Sequence, residues 1–454
     1  MAVHIPLKAL FLAVSTTFML AACNNSDNEY EPAAAARAEP AIEISSDDSD
    51  ASSKPGGTDP HAVVEQYAAM AHANYADALE TARALNVAID TLITDPNKES
   101  LETAKSAWLQ SRVAYQQSEA FRFGNPVVDE WEGQLNAWPL DEGMIDYIAT
   151  DDYQYEMGND GATANIIANR EINIGGKTID ANVITPDLLA NLNEAGGSEA
   201  NVATGYHAIE FLLWGQDLNG FGPGAGDRPV SDYAKGEKCT NGNCDRRADY
   251  LSAATDLLVT DLEWMVAQWS PNVSDNYRAQ LLSEAPQQVF QKMLFGMGSL
   301  SLGELAGQRM KVALEANSYE DEQDCFSDNT HNSHYYNAIG IQNVYLGIYT
   351  STGGDKMSGP SLADLVQNTN AELDNKLRSD LELTVVALQE MKDAAEASDE
   401  PMRFDMMIAP DSHKGAIIIN KAISALVEQT GSIEQIAVGL GLASLEPDDG
   451  GLAF

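Results

Sequence analysis

Apolar residues recur every three or four positions over most of the chain beyond residue 60, and this spacing is typical of amphipathic helices. The spacing predicts helices over residues 61–92, 97–123, 198–214, 247–269, 275–315, 331–349, 362–397 and 404–428. Strand-like alternation is scarce, and residues 172–179, around Gly175 and Gly176, favour a short hairpin. Because about 390 residues exceed what one hydrophobic core usually holds, we expect an all-α protein of two fused helical bundles with long irregular loops.

A long loop divides the predicted helices into two sets. Residues 219–246 are rich in Gly, Pro and Asp, which suits a junction between domains. We therefore predict a first helical domain over residues 61–246 and a second over residues 247–454. Within the helix predicted at residues 275–315, missing side chains at four glycines would let two helices approach closely. These are Gly296, Gly298, Gly303 and Gly307.

The N-terminus has the features of an exported protein. Lys8 precedes an apolar run over residues 9–20 that is too short to span a bilayer, which predicts a signal peptide over residues 1–22. The string Leu20-Ala21-Ala22-Cys23 resembles the bacterial lipobox, in which cleavage leaves Cys23 as a lipid-carrying N-terminus. Asn24 follows it rather than Asp, which favours the outer membrane, facing the periplasm. The alternative is an ordinary secretory peptide in which Cys23 is incidental.

Composition then narrows the classes of partner. Residues 23–60 contain almost no large apolar side chain, which predicts a flexible acidic tether. Over the whole chain 69 acidic residues oppose 26 basic ones, for a net charge of −43. Such a chain is repelled by phosphate backbones and anionic lipid, so we expect no nucleic-acid binding and no membrane contact beyond the lipid anchor. Metal cations, metal chelates and basic partners remain allowed, although the acidity could equally serve only to keep an exported protein soluble.

Four cysteines are few for a disulfide scaffold of this size. With Cys23 assigned to the lipid, Cys239 and Cys244 close a short loop, and an oxidising compartment favours a disulfide between them. Cys325 is then left without a predicted role. A structural zinc site made only of cysteines needs four paired thiolates, and covalent haem needs a Cys-x-x-Cys-His string, so the sequence excludes both.

The helix predicted at residues 97–123 carries a stripe that is half apolar and half charged. At helical spacing, one narrow arc contains Leu101, Ala104, Trp108, Arg112, Tyr115, Glu119 and Arg122. Charged residues usually face water, so the stripe either lies at a solvent-filled cleft or holds a buried network of paired charges.

His207 and Glu210 lie three residues apart in the helix predicted at residues 198–214. Their side chains emerge on one helix face and are able to share a metal ion or a proton. The bare pattern is weak, because seven histidines and 69 acidic residues give about one such pair by chance. From these residues alone, a structural His–Glu pair and a ligand pair are equally good interpretations.

Longer strings around these residues resemble the imelysin family, also catalogued as the M75 peptidases. The string Gly-Tyr-His-Ala-Ile-Glu-Phe-Leu-Leu-Trp-Gly over residues 205–215 is similar to the Gly-x-His-x-x-Glu motif of that family. Two further strings resemble its iron-regulated branch: Trp108-x3-Arg112-x2-Tyr115-x3-Glu119-x2-Arg122-Phe123, and residues 320–331. Together they cover most of residues 60–430. The resemblance implies a helical fold of two bundles, export with frequent lipidation, iron-regulated expression and a peptidase label.

The resemblance also implies the residues of a site. His207 and Glu210 belong to it as metal ligands, with Glu119 as a third ligand and iron or zinc as the ion. Trp108 and Arg112 are implied as ligand-binding neighbours on the facing helix, where Arg112 pairs with Glu119 or holds an anionic group such as a carboxylate. If the protein is a peptidase, His207 and Glu210 are the implied catalytic residues. A buried salt-bridge network that locks two helices is the alternative for the stripe.

A second candidate set lies at residues 328–334. Asp328, His331 and His334 are spaced so that a loop carboxylate and two helical imidazoles could converge on iron, zinc or copper. The resemblance reaches Asp328 and His331 but not His334. The alternative is that Asp328 or Thr330 caps the helix that follows.

Three functions compete. A binding site needs only convergent carboxylate and imidazole groups, so we expect an iron-regulated envelope lipoprotein that binds a metal or metal chelate in iron acquisition, beside other iron-uptake proteins. A periplasmic metallopeptidase of the M75 type also needs an activated water and a general base, and the usual His-Glu-x-x-His string is absent. The third function is a non-catalytic scaffold that binds another envelope protein.

Overall fold

The computed structural model describes residues 57–149, 153, 155 and 157–454. The predicted signal peptide, the lipidation site Cys23 and all but the end of the tether lie outside the described residues and stay predictions. From Thr58 to Phe454 the chain forms one unit. Within the described residues, no helix combines the length and the apolar character that a membrane span requires.

A helical hairpin begins the described fold. Helix α1 (Pro60–Thr94) starts after Asp59, whose side chain accepts a hydrogen bond from an amide of the first turn. Helix α2 (Lys98–Ser118) is capped by Asn97, because the side chains of Asn97 and Ser100 each accept the other residue's amide proton. The two helices then pack against each other.

The remaining helices and strands follow in chain order. The first half contains α3 (Pro126–Leu135), α4 (Glu142–Ile145), β1 (Glu171–Ile174), β2 (Lys177–Asp180), α5 (Pro186–Leu192) and α6 (Gly205–Trp214). The second half contains α7 (Cys244–Trp269), α8 (Tyr277–Ser283), α9 (Pro286–Ser299), α10 (Val312–Ala316), α11 (Thr330–Leu346), β3 (Ile348–Thr350), β4 (Lys356–Ser358), α12 (Leu362–Thr369), α13 (Ala371–Ala395), α14 (Phe404–Met407) and α15 (His413–Gly439). A π-helical segment (Leu300–Lys311) joins α9 to α10 without a break. The fold class is therefore helical, as the sequence predicts.

Helix α2 lies where the two halves of the chain meet. It contacts α1 and α6 from the first half and α11 from the second. Helix α7, which spans the predicted domain boundary at residue 246, packs along α1 and α6. Farther along, α11 contacts α13, and α13 packs against α15. The position of a boundary between two domains stays a prediction.

The hairpin predicted at residues 172–179 is present. Strands β1 and β2 pair antiparallel, and Gly175 and Gly176 join them with φ angles of 57° and 71°. A tight two-residue turn requires two positive φ angles, and glycine adopts them without strain. The second hairpin, of β3 with β4, begins inside the helix predicted at residues 331–349, because Gly347 ends α11 with a φ of 66°.

The long helix predicted at residues 275–315 is divided in the structure. Helix α8 ends at Ser283 and Pro286 begins α9, because proline lacks the amide that a continuing helix needs. The glycines beyond it do permit close approach, but at Gly303 the partner is not another helix. A Cβ at Gly303 would lie 2.6 Å from the carbonyl oxygen of Asp448, in the C-terminal segment.

Cys239 and Cys244 form a disulfide at the start of α7, with Cα atoms 6.0 Å apart. The structure thus contains the pairing that the sequence predicts. Cys325 has a free thiol, and burial, followed by the nearby Glu210 carboxyl, raises its pKa well above the ordinary value. Because the thiolate is the form that binds metals, Cys325 is a poor ligand.

Candidate metal centre

Helix α6 is buried along its whole length, and the geometry of its two ends explains its flanking glycines. Gly205 has a φ of 76° and lies against the Leu135 carbonyl, where a Cβ would collide. Glycine is therefore required at the start of the Gly-x-His-x-x-Glu string. Gly215, with a φ of 74°, ends the helix after Trp214. The ten residues from Gly205 to Trp214 form a short helix in the core.

His207 and Glu210 lie on one face of α6. His207 Nδ1 is 2.9 Å from Glu210 Oε2, and both side chains are at most 1% exposed. Asp324, in the loop before α11, places its Oδ1 3.8 Å from His207 Nδ1. One nitrogen or oxygen atom from each of these three residues lies within 4.8 Å of the other two. We call His207, Glu210 and Asp324 the His207 group.

Asp324 is the member of this group that the sequence pattern does not single out. Its carboxylate accepts hydrogen bonds from Arg112 Nη2 at 2.9 Å, from Asn329 Nδ2 at 3.1 Å and from the Ser333 hydroxyl. Burial alone would raise the pKa of Asp324, but Arg112 and these donors hold it below the ordinary value. Asp324 falls within the string at residues 320–331, so that resemblance is the signal that could have indicated it.

Unlike Asp324, Glu210 and His207 have pKa shifts that favour their neutral forms. Burial, and then the Asp324 charge, raise the pKa of Glu210 well above its ordinary value, although the amide and hydroxyl of Ser327 both donate to Oε1. Burial, and then Arg112, lower the pKa of His207 to about 3. The imidazole is therefore neutral, and its Nε2 is buried without a hydrogen-bond partner. Neutral imidazole is the form that binds metals.

The donor set of the His207 group fits a transition metal. Two carboxylates and one imidazole are typical ligands of iron and zinc. Two ligand atoms of one tetrahedral ion, each bonded at ~2.0–2.1 Å, lie roughly 3.3 Å apart. One ligand atom from each of the three side chains lies within 4.8 Å of the other two, so small side-chain movements would reach this separation around an ion. Among the described residues, Arg112 alone forms an ion pair of fixed charge with the group, so the group would have one net negative charge for a metal ion once Glu210 is ionised.

Trp108 and Arg112, the predicted ligand-binding residues, reach the site from α2. The Arg112 guanidinium lies 5.4 Å from the Trp108 ring centre and 5.0 Å from the Tyr206 ring centre. Trp108 Nε1 donates to the Tyr206 carbonyl at 2.9 Å. Arg112 donates to Asp324 and, at 2.6 Å, to Asn136. Arg112 therefore holds a carboxylate, as one predicted role requires, but that carboxylate belongs to the protein itself.

The structure does not bring Glu119 into the His207 group. Glu119 accepts hydrogen bonds from Arg309 at 2.6 and 3.1 Å, from Asn136 at 3.0 Å and from Asn337 at 2.6 Å. Burial alone would raise the pKa of Glu119, but Arg309 lowers it to about 2. Both oxygens are saturated, so Glu119 is an ion-pair partner rather than the predicted third ligand. We call these four residues the Glu119–Arg309 network, and they show that the α2 stripe holds buried, paired charges.

The second predicted set does not converge. His331 Nε2 lies 3.4 Å from a Glu396 carboxylate oxygen, and His334 is buried with neither ring nitrogen hydrogen-bonded. Asp328 lies instead with two other carboxylates. Neither Asp328 nor Thr330 caps the helix as the alternative predicted, because α11 begins at Thr330 without a side-chain cap.

Known proteins share this fold. The family model described as imelysin, peptidase M75, matches residues 71–433. No curated protein is similar enough to match the chain. Among solved structures, an iron-regulated protein A precursor from Parabacteroides distasonis is similar with a TM-score of 0.60 and 19% identity, covering 86% of this chain and 97% of that one. An imelysin-like protein from Psychrobacter arcticum is similar with a TM-score of 0.54 and 15% identity, covering 86% and 99% of the two chains.

Proposed function

Because the chain belongs to the imelysin family, we propose that it binds a metal ion through His207, Glu210 and Asp324 and serves iron acquisition in the cell envelope. The observation that carries the proposal is unfilled bonding capacity in a fully buried site. His207 Nε2 has no partner, and the two carboxylates share one fixed positive charge, from Arg112, among the described residues. A bound cation would supply the missing interactions.

Iron is the ion we favour, with zinc as the alternative. Imidazole and carboxylate ligands together suit both. One solved structure with this fold is named an iron-regulated protein A precursor, which supports iron. Binding would displace a proton from Glu210, since its raised pKa keeps this carboxyl protonated in the free protein. His207 needs no deprotonation, because its lowered pKa keeps the imidazole neutral.

Binding accounts for the geometry better than peptide hydrolysis. A catalytic zinc site keeps an open position for a water molecule and the substrate. The three side chains of the His207 group are at most 1% exposed, and Ser327 and Arg112 occupy oxygens beside them. A peptide would reach this site only if the loop that carries Asp324 moved. We therefore favour metal binding over M75-type metallopeptidase activity.

The location in this proposal rests on the sequence of the N-terminus. A lipid on Cys23 would anchor the protein to the outer membrane, facing the periplasm, and residues 24–60 would hold the helical part clear of the surface. The net charge of −43 favours cationic or basic partners over nucleic acid. We propose other iron-uptake proteins of the envelope as partners, and a metal-free scaffold is the function to be distinguished from this one.

Calorimetric titration of the metal-free protein with Fe²⁺ under anaerobic conditions, and with Zn²⁺, tests the proposal. We expect one ion per chain in the wild type. Glu210→Gln is the sharpest variant, because glutamine keeps hydrogen bonds to Ser327 and His207 but lacks the carboxylate charge. We expect this variant to fold normally and to bind metal more weakly by over ~100-fold, beyond the usual effect of losing an outer-shell partner.

His331→Ala is the matched control, because His331 is equally buried and is also a candidate ligand by sequence. We expect it to keep wild-type affinity. Equal loss of affinity in both variants, or no binding of either ion by the wild type, would overturn the proposal. Hydrolysis of a peptide library that disappears in Glu210→Gln would instead establish the peptidase.

A further inference from the structure

A second group of acidic side chains lies near the His207 group, and the proposed function does not use it. Glu322 and Asp328 come from the loop before α11, and Asp405 comes from α14. They are 1%, 5% and 1% exposed, and one oxygen from each lies within 4.8 Å of the other two. We call these three residues the Glu322 group. Carboxylates are almost never fully buried unless they are paired, because burial removes their water and their charges repel.

Four of the six carboxyl oxygens in the Glu322 group lack hydrogen-bond partners. Glu322 Oε1, Asp328 Oδ1 and both carboxylate oxygens of Asp405 are buried without a hydrogen-bond partner. Most buried polar atoms in proteins are hydrogen-bonded, so four such oxygens on three neighbouring carboxyl groups indicate a missing ligand rather than a packing fault.

Electrostatics agree with this geometry. Burial, and then the Asp217 carboxylate, raise the pKa of Asp328 to about 7. Burial, and then Asp328, raise the pKa of Asp405 to about 7. Arg403 is the basic residue that opposes the rise at both aspartates, and it does so weakly. The cluster therefore has a deficit of positive charge.

We propose that Glu322, Asp328 and Asp405 form a second site, which binds a hard divalent cation such as Ca²⁺. Oxygen-only donors suit calcium, magnesium or manganese, whereas the imidazole of the His207 group suits iron or zinc. Oxygens on opposite sides of a Ca²⁺ ion, each bonded at ~2.4 Å, lie roughly 4.8 Å apart, so three oxygens that lie within 4.8 Å of one another are close enough to share one ion. Main-chain carbonyls and water would complete the coordination.

The position of the Glu322 group gives the cation a structural role. Asp324, a member of the His207 group, lies in the chain between Glu322 and Asp328. A cation that joins these two residues to Asp405 would fix the loop on both sides of Asp324. Asp328 has a left-handed φ of 54°, a strained conformation that needs surrounding contacts to hold it. The second site would thus keep the first one assembled.

A pocket with acidic side chains leads to the Glu322 group. A small pocket that reaches Glu322 is lined further by Glu142, Asp217 and Glu320. Carboxylates at the walls of a pocket raise the local concentration of cations. Tyr319, Cys325 and Phe326 complete the lining, and the acidic side chains favour entry of a cation over entry of an anion.

Calorimetric titration of the metal-free, full-length protein with Ca²⁺ tests the proposal. We expect one Ca²⁺ per chain and a higher midpoint of thermal unfolding in its presence. Asp405→Asn keeps the shape of the side chain but removes one charge, and we expect at least a tenfold loss of Ca²⁺ affinity. Asp261→Asn is the matched control, because burial raises the pKa of Asp261 to about 6, yet Gln134 donates a hydrogen bond to it. This control should bind Ca²⁺ like the wild type.

The outcomes separate this site from the first. Glu210→Gln should lose iron or zinc and keep Ca²⁺, and a parallel loss of both ions would contradict a second site. No binding by the wild type up to about 10 mM Ca²⁺, beyond the range of weak extracellular calcium modules, would overturn the proposal. Unchanged Ca²⁺ affinity in both Asp405→Asn and Glu322→Gln would overturn it as well, and would indicate that the three carboxyls share protons instead.

Discussion

Two buried polar regions meet at Asn136, and they differ in how far their bonding capacity is filled. Asn136 accepts a hydrogen bond from Arg112, which also donates one to Asp324 of the His207 group. Its amide donates a hydrogen bond to Glu119 in the Glu119–Arg309 network. In the network, each oxygen of Glu119 accepts two hydrogen bonds, one of them from Arg309. In the His207 group, the Nε2 atom of His207 has no partner.

The difference shows what distinguishes a ligand site from a structural ion pair in this fold. Both regions are buried, both contain charged side chains, and both lie along α2. Burial and charge alone therefore do not identify the site. Unfilled bonding capacity within a group of converging ligand atoms does, because a buried polar atom without a partner destabilises the fold unless a ligand supplies the missing interaction.

Removing the Glu119 carboxylate should have the largest effect on stability. Glu119→Ala should lower the free energy of unfolding by about 3–5 kcal/mol, because Arg309 would stay buried without its partner. Urea unfolding at neutral pH measures this loss. A loss under ~1 kcal/mol would mean that the network is not the saturated, stabilising region described here.

Lowering the pH should destabilise the protein through the Glu119–Arg309 ion pair. The folded pKa of Glu119 is about 2, below its ordinary value of 4.5, so its contribution to stability is present above pH 4.5 and is lost as the pH falls towards 2. The shift corresponds to roughly 3 kcal/mol. The difference in unfolding free energy between the wild type and Glu119→Gln should shrink over this range. A difference that stays constant between pH 5 and 2 would contradict the assignment.

Stabilisation by bound metal should depend on the His207 group and not on the Glu119–Arg309 network. At a free metal concentration 100 times the Kd, binding should stabilise the wild type by about 2.7 kcal/mol. His207→Ala should lose this gain entirely, whereas Glu119→Ala should keep it on top of its lower baseline. Thermal unfolding with and without Fe²⁺ measures both. A gain that disappears in Glu119→Ala and survives in His207→Ala would reverse the roles given to the two regions.

Removing the Ser327 hydroxyl beside the His207 group should have the smallest effect on stability. Ser327→Ala removes the hydroxyl that donates to Glu210 Oε1 at 2.6 Å. We expect a stability loss of about 1 kcal/mol and a loss of metal affinity of roughly 10-fold, since Ser327 orients a ligand without being one. Calorimetry on this variant checks both values. A loss as large as that of Glu210→Gln would make the serine oxygen itself a ligand.

Local sequence signals predict much of the fold. Apolar spacing indicates most of the helices, because an amphipathic helix places apolar residues at every third or fourth position of one continuous segment. Gly175 and Gly176 likewise indicate the first hairpin, through their own backbone requirements. The division of the helix predicted at residues 275–315 was missed although Pro286 marks it, because apolar periodicity continues on both sides of the proline.

The candidate site was only half predictable, for a physical reason. His207 and Glu210 face each other through helical geometry, so their spacing reveals the pair. Asp324 reaches them only through tertiary packing. Glu119 has the charge and helix position of a ligand, but Arg309, 190 residues later, is what satisfies it. Spacing within a helix does not show which distant side chain arrives opposite it.

Anomalous diffraction from crystals grown with Fe²⁺, recorded at the iron absorption edge, would locate the bound ion. We expect the strongest anomalous peak ~2.0–2.3 Å from atoms of His207, Glu210 and Asp324. A strongest peak at Glu119, at the Glu322 group or on the surface would contradict this expectation. So would the absence of any peak at an iron concentration well above the Kd measured in solution.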